Sequence, residues 1–190
     1  MNKIIRCFLV LFFLVMFTGT ASAGTKPPSE GDLLPEIVLT VPQILDQQKY
    51  LGLSSETTFT IPQIKASVVI VEIFSMYCPY CQAEAPALNE LYDKIQNNSS
   101  LKDRFKLIGI GVGNTPFEVE HFKNTYKIPF PLFPDEDFSI HKKIGEVRTP
   151  HFFGVGINKD GTHRILYSHQ GRLENHDQFI DLLLQRAGSK

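Results

Sequence analysis

Val68-Val69-Ile70-Val71-Glu72-Ile73-Phe74, then Ser75-Met76-Tyr77, then Cys78-Pro79-Tyr80-Cys81: this run decides how the chain folds. Its first seven residues are β-formers with a single charge among them, the pattern of a strand buried on both faces in the middle of a sheet. From the cysteines onward, Ala83, Ala87, Leu88, Leu91, Tyr92 and Ile95 recur at steps of three and four, until Asn97-Asn98-Ser99-Ser100 ends the period. That spacing predicts a helix over residues 80 to 96. Cys78 therefore falls at a helix N-terminus, where free N–H groups and the positive end of the dipole favour a thiolate. The thiolate is the nucleophile in disulfide exchange, and Cys81 one turn later can close back on it. Pro79 in the first turn removes only an N–H that would have had no partner.

Upstream, Ile37 to Val41 and Thr57 to Ile61 are short β-branched runs bounded by prolines, as in edge strands. Gln43 to Ser55 between them is ambiguous. Residues 24 to 34 are rich in Pro, Ser, Gly and charge and read as a flexible lead-in, so one ordered domain is expected over 35 to 190. Downstream, Phe105 to Val112 predicts a second buried strand and Thr115 to Tyr126 an amphipathic helix capped by Asn114 or Thr115. Phe138 to Ile144 fits a short helical turn. His151 to Ile157 and His163 to Ser168 flank the turn-rich Asn158-Lys159-Asp160-Gly161 and predict an antiparallel hairpin. Leu173 to Arg186, with Phe179, Ile180, Leu183 and Leu184 on one stripe, closes the chain as a helix.

The 190 residues, 43% hydrophobic and 21% charged, support one core and exclude collagenous or disordered chains. Lys and Arg number 19 against 20 Asp and Glu, so the basic footprint that a phosphate backbone requires is missing and nucleic acid is excluded as a partner. Lys3 and Arg6, an unbroken apolar run from Cys7 to Phe17, and Ala21-Ser22-Ala23 compose a secretory signal over residues 1 to 23, with cleavage near Ala23/Gly24. The apolar run is short of the roughly 20 residues that a bilayer span requires. The expected location is periplasmic or otherwise extracytoplasmic, where a dithiol can persist as a disulfide.

Other chemistries of a CxxC fit less well. A zinc site lacks its second pair, because no other cysteines follow and the six histidines show no H-x(3-5)-H spacing on one helix. Covalent haem attachment requires His after the second Cys, and Gln82 stands there. A purely structural disulfide closing so small a loop would stabilise little. Gly109-x-Gly111-x-Gly113 lacks the spacing of a dinucleotide loop; alternate glycines on one strand face instead allow a close approach. No metal and no cofactor are expected.

With these residues in place, the chain resembles the thioredoxin superfamily, and within it the exported TlpA/ResA-like thiol-disulfide oxidoreductases, over about Pro35 to Arg186. The resemblance implies an α/β, thioredoxin-like fold: a central mixed β-sheet flanked by helices, here with an N-terminal β extension. It implies a redox-active Cys78-Cys81 disulfide, with Cys78 attacking and Cys81 resolving. Glu72 matches the buried proton-accepting carboxylate, Glu84 the acid typical of the ResA-like branch, expected to manage protons with Glu72 as a catalytic residue, and Pro86 the proline that kinks the active-site helix. Thr149-Pro150 matches the cis-Pro loop that, with Tyr77, Pro79 and Tyr80, faces substrate. The partners it implies are exported protein thiols and disulfides, such as apocytochrome c cysteines, and a membrane thiol electron donor; a monomer is expected.

Pro79-Tyr80 departs from the dipeptides usual in that branch and matches the glutaredoxin one, so glutathione-linked and oxidising roles stay open alongside reduction. Tyr77 replaces the common Trp. The segment from Pro42 to Glu56 exceeds what a minimal thioredoxin needs and is the expected seat of specificity. A rival of another class is a copper- or haem-delivery module, in which Met76 and His151 would supplement the soft thiolates.

Overall fold

The computed structural model describes residues 26–54 and 56–188. Strand β3 (Val68–Phe74) is buried at every residue. It pairs in parallel with β4 (Phe105–Val112), in register from Val68↔Phe105 to Phe74↔Gly111, and antiparallel with β6 (His151–Ile157). Outside these lie β5 (Leu132–Asp135), parallel to β4, and β7 (His163–Gln170), antiparallel to β6, giving the order β5-β4-β3-β6-β7. The expected mixed sheet and its central strand are both present.

Each face of β3 needs its own cover. Helices α2 (Pro79–Gln96), α3 (Pro116–Tyr126) and α5 (His176–Gly188) bury Leu88 and Leu91, Val119 and Phe122, and Phe179, Ile180 and Leu183 against Val68, Ile70 and Phe74. The opposite face, Val69, Val71 and Ile73, is covered by the small antiparallel sheet of β1 (Val38–Thr40) and β2 (Thr58–Thr60), by α1 (Leu45–Leu51) and by α4 (Ser139–Lys143). The β1–β2 pair is the expected N-terminal β extension.

Several expectations are refined. Helix α2 carries Pro79 at its first position and runs to Gln96. Thr115, not Asn114, caps α3: its hydroxyl accepts the Glu118 N–H while the Glu118 carboxylate accepts the Thr115 N–H. Strand β5 lies in the Pro-rich stretch that sequence patterning leaves unassigned; at a sheet edge the missing N–H of Pro134 is tolerated. The last helix starts at His176 rather than Leu173, because Asn175 Oδ1 accepts from the N–H groups of Asp177 and Gln178.

The ambiguous stretch upstream of β2 forms α1 and ends in the left-handed Gly52. Its Tyr50 hydroxyl accepts the Leu107 N–H, at the start of β4. That contact, together with the Lys65 N–H bonded to the Leu51 carbonyl just before β3, docks α1 at the end of the sheet opposite Cys78. Of the segment expected to seat specificity, Tyr50 and Leu51 are thus turned away from the cysteines, while Pro42 to Gln47 border Pro116 and Val119 of α3 and Pro134 of β5.

The lead-in is described from Lys26, and its last residues are tied to the sheet rather than free. Gly31 N–H donates to the Ile165 carbonyl at 2.8 Å, Ile165 N–H to the Asp32 carbonyl at 2.9 Å, and Leu34 is buried. The signal sequence over 1 to 23 lies outside the described residues. Among those described, no helix is long and apolar enough to cross a membrane.

Gly111 shows why alternate glycines stand on β4. A Cβ there would come within 3.0 Å of both the Phe74 ring and Val119 Cγ2, and 3.2 Å from Asn114 Oδ1. Helix α3 therefore rests almost directly on the strand backbone. Gly111→Ala should destabilise the fold by about 1–3 kcal/mol, the usual cost of overpacking a closed core. Urea unfolding checks this, and an unchanged midpoint would mean that α3 yields freely.

Candidate active site

At the C-terminal end of β3 the chain turns through Ser75-Met76-Tyr77 into α2, and this short connection is clamped. Met76 N–H donates to Asn114 Oδ1 at 2.8 Å, the Met76 carbonyl accepts Gln82 Nε2 at 2.8 Å, and Cys78 N–H donates to the Ser75 carbonyl at 3.0 Å. Asn114 is fully buried, so the clamp is anchored in the core. Cys78 is the N-cap of α2, with extended backbone, and Cys81 sits in the first turn.

The two cysteines stand here as free thiols with unlike surroundings. Cys78 is partly exposed and donates its S–H to the Thr149 carbonyl at 3.4 Å. Its partial burial alone would push the thiol up. Hydrogen bonds from the Thr149 side chain, from the Cys81 backbone and side chain and from the Tyr80 backbone outweigh that and hold it below the ordinary cysteine value. Cys81 has no exposed surface, and its thiol is pushed far up, by burial first and then by the charge of Glu72. The Thr149-Pro150 bond is cis, and the Thr149 carbonyl lies against Cys78.

Glu72 points to the α2 face, since Ile70 and Phe74 on the same side of β3 pack with Cys81. It is 2% exposed and its Oε1 has no partner. Burial, then the nearby charges of Glu84 and Cys78, raise its carboxyl from 4.5 to about 8. Glu84 is wholly buried but well paired: Arg172 Nε lies 2.7 Å from Oε2, and the Leu173 N–H donates to Oε1 at 3.0 Å. It thus anchors α2 to the segment before α5. Tyr77 and Tyr80 are exposed on either side of Cys78, and the Tyr77 hydroxyl donates to Glu118 Oε1.

His151 does not join this group. It pairs with Ile73, on the face of β3 opposite Glu72, packs on Phe153, and shares a hydrogen bond with Ser168 Oγ at 3.0 Å. Burial lowers its imidazole to about 4, as for a neutral packing histidine. The ligand set of Cys78, Cys81 and His151 imagined for a copper carrier is therefore split by the sheet.

The AhpC/TSA family model matches residues 31–172, which takes in Glu72, Cys78, Cys81, Glu84 and Thr149-Pro150. The chain belongs to the AhpC/TSA family. Among curated proteins it is similar to the thiol-disulfide oxidoreductase ResA of Bacillus thuringiensis subsp. konkukian, 28% identical over 101 residues, 53% of this chain and 54% of that one. The match thus spans about half the length of such relatives. Among solved structures it is similar to a proposed thiol:disulfide interchange protein DsbE from Chlorobium tepidum, at a TM-score of 0.62 and 15% identity over 85% of this chain and 99% of the other. It is also similar to the thioredoxin domain of a thiol-disulfide oxidoreductase from Bacteroides vulgatus, at 0.59 and 14% over 82% and 98%. These likenesses establish the thioredoxin-like fold.

Within this AhpC/TSA-family site, Asn114, Gln82, Arg172 and Glu118 escape sequence reasoning. Glu118 carried a signal, as the third residue after a capping Thr. The other three act across 38, 6 and 88 residues of chain, and no local pattern marks such partners.

The raised carboxyl makes a measurable demand on stability. Unfolded, Glu72 ionises near 4.5; folded, it stays protonated to about 8. Between those values the unfolded chain binds fewer protons, so this group lowers stability as pH rises, by about 3 kcal/mol at pH 7. In urea titrations of the reduced protein, Glu72→Gln should match the parent near pH 4 and exceed it increasingly up to pH 8. Parallel pH profiles would mean that Glu72 ionises freely in the fold.

Proposed function

We propose that this protein is an exported thiol-disulfide oxidoreductase that reduces selected disulfides of extracytoplasmic proteins, such as the haem-site cysteines of apocytochrome c, after its signal peptide is removed near Ala23/Gly24. The observation that carries the reading is the inequality of the two thiols. One is partly exposed at a helix N-terminus with its thiolate favoured; the other is buried, with its thiol form favoured, beside an unpartnered carboxyl. That is the arrangement an attacking and a resolving cysteine require.

The Cys78 thiolate attacks one sulfur of the substrate disulfide, and the other leaves as a thiolate that takes a proton from water. Cys81 then gives its proton to the ionised fraction of Glu72, attacks Cys78 Sγ and expels the second substrate thiolate. The protein is left with a Cys78-Cys81 disulfide, and the substrate has gained two electrons. A carboxyl near 8 suits this transfer, being matched to working pH more closely than an ordinary glutamate. Tyr77, Pro79, Tyr80 and Thr149-Pro150 border the attacked bond and would seat the substrate backbone. A membrane thiol donor would restore the dithiol, since the chain has no flavin or nicotinamide motif.

With an insulin or model-peptide disulfide and excess reductant, Cys78→Ser should reduce exchange to the uncatalysed rate. Cys81→Ser should accumulate a mixed disulfide visible as a mass increase of one substrate chain. Wild-type activity no greater than that of Cys78→Ser would overturn the reading.

Direction is read by equilibrating the couple with glutathione or dithiothreitol buffers. A midpoint near −270 mV, the thioredoxin end of the range, is expected of a reductant, whereas about −120 mV would make the protein an oxidant.

A further inference from the structure

At the end of the sheet opposite the cysteines, the residues just ahead of β3 and β4 meet the turn between β6 and β7 and the last turn of α5. They enclose an open pocket of about 540 Å³ that the exchange chemistry does not use. Its floor is apolar: Gly156 and Leu166 are buried there, and Ile157 and Ala187 half-buried. A Cβ on Gly156 would come within 2.8 Å of Leu166 Cδ1, so the bare glycine lets the leucine lie across β6.

The rim is cationic. Arg104, Lys159, Arg164 and Arg186 border the pocket against the single carboxylate of Asp160. The whole chain carries 19 basic and 20 acidic residues, so the concentration is local. Arg186 is already engaged, by the Glu30 carboxylate and the Leu166 carbonyl. From the last turn of α5 it also offsets the negative end of the helix dipole, which would otherwise repel an anion. Asp160 is engaged too: its Oδ1 accepts the Thr162 N–H at 2.9 Å and the Thr162 hydroxyl at 2.7 Å. Arg104, Lys159 and Arg164 form no ion pair among the described residues. Two of them stand on fixed backbone. The Arg104 carbonyl accepts the N–H groups of Ser67 and Val68, each at 2.9 Å, and Arg164 is the ladder partner of Gly156.

A guanidinium presents a planar fork of donors matched to two oxygens of one oxyanion, and here two such groups and an ammonium ring an apolar floor. Three unopposed charges exceed what one carboxylate neutralises, whereas a phosphate monoester brings close to two. We infer that this pocket binds the phosphate group of a molecule with an apolar body, with Arg104, Lys159 and Arg164 as the donors. The site is independent of the exchange reaction proposed above. Filled by a phospholipid headgroup, it would hold the protein on a membrane surface with Cys78 at the far end, facing away from the lipid.

The test uses two sources of the phosphate group. Phenyl phosphate, titrated calorimetrically at constant ionic strength, should bind once per chain, and benzoate at least about tenfold more weakly. Vesicles of phosphatidylglycerol are compared with vesicles of phosphatidylcholine by cosedimentation. Binding of phenyl phosphate without retention on either vesicle assigns the pocket to a free phosphate ester; retention on phosphatidylglycerol alone assigns it to a lipid headgroup. In both cases Arg104→Gln and Arg164→Gln should each weaken binding at least about tenfold, the loss of one charge-assisted donor. Lys159→Gln, on the exposed turn and away from the sheet, should weaken it in the same direction. Cys78-dependent exchange should keep the parent rate in all three, which shows that the fold is intact. No saturable binding of either source, benzoate bound as tightly as phenyl phosphate, or binding that all three variants retain overturns the inference.

Discussion

β3 is buried at every residue, and the rest of the molecule follows from that constraint. A strand buried on both faces must be covered twice, by α2, α3 and α5 on one side and by β1, β2, α1 and α4 on the other. The same constraint acts on the one ionisable residue in the strand. Glu72 cannot be solvated, so it holds its proton far above the ordinary carboxyl range. The burial that stabilises the sheet also sets the acidity beside Cys81.

The reactive end then separates two chemically identical side chains by three residues of helix. Position at the N-cap exposes Cys78 to backbone donors and to the Thr149 side chain, while one turn of α2 carries Cys81 into the apolar layer with Leu88 and Ala85. The clamp from Asn114 and Gln82 onto the Met76 backbone fixes the point at which strand becomes helix, and so fixes both sulfurs. Glu84, sealed by Arg172, ties the same helix to the segment before α5 and keeps a negative charge near Glu72.

Much of this was legible from sequence wherever local pattern carries the information. The apolar run of β3, the three-and-four spacing of α2, the capping signal at Thr115 and the turn between β6 and β7 each follow from residues close in the chain. What stayed hidden is what depends on distant partners. β5 is a strand because β4 offers it an edge, despite prolines that argue against one. The tie of 31–34 to the sheet depends on Ile165, more than a hundred residues away. At the site, the cysteines, Glu72 and the Thr149-Pro150 bond were marked by resemblance and position. Arg172 and Asn114 could be seen only once the chain had closed on itself.

The pairing of Gly31 and Asp32 with Ile165 also bears on how the molecule avoids its own copies. β7 is an outer strand, and an unprotected outer strand presents a row of backbone donors and acceptors to any neighbouring chain. At the opposite border, β5 carries Pro134, which withholds a donor. At β7 the work falls to the stretch just ahead of β1, which by composition alone reads as a spacer. A protein trimmed to begin at Pro35 would keep its thiols, but it would lose the buried Leu34 and lay the Ile165 backbone bare, leaving β7 open to pair with another chain.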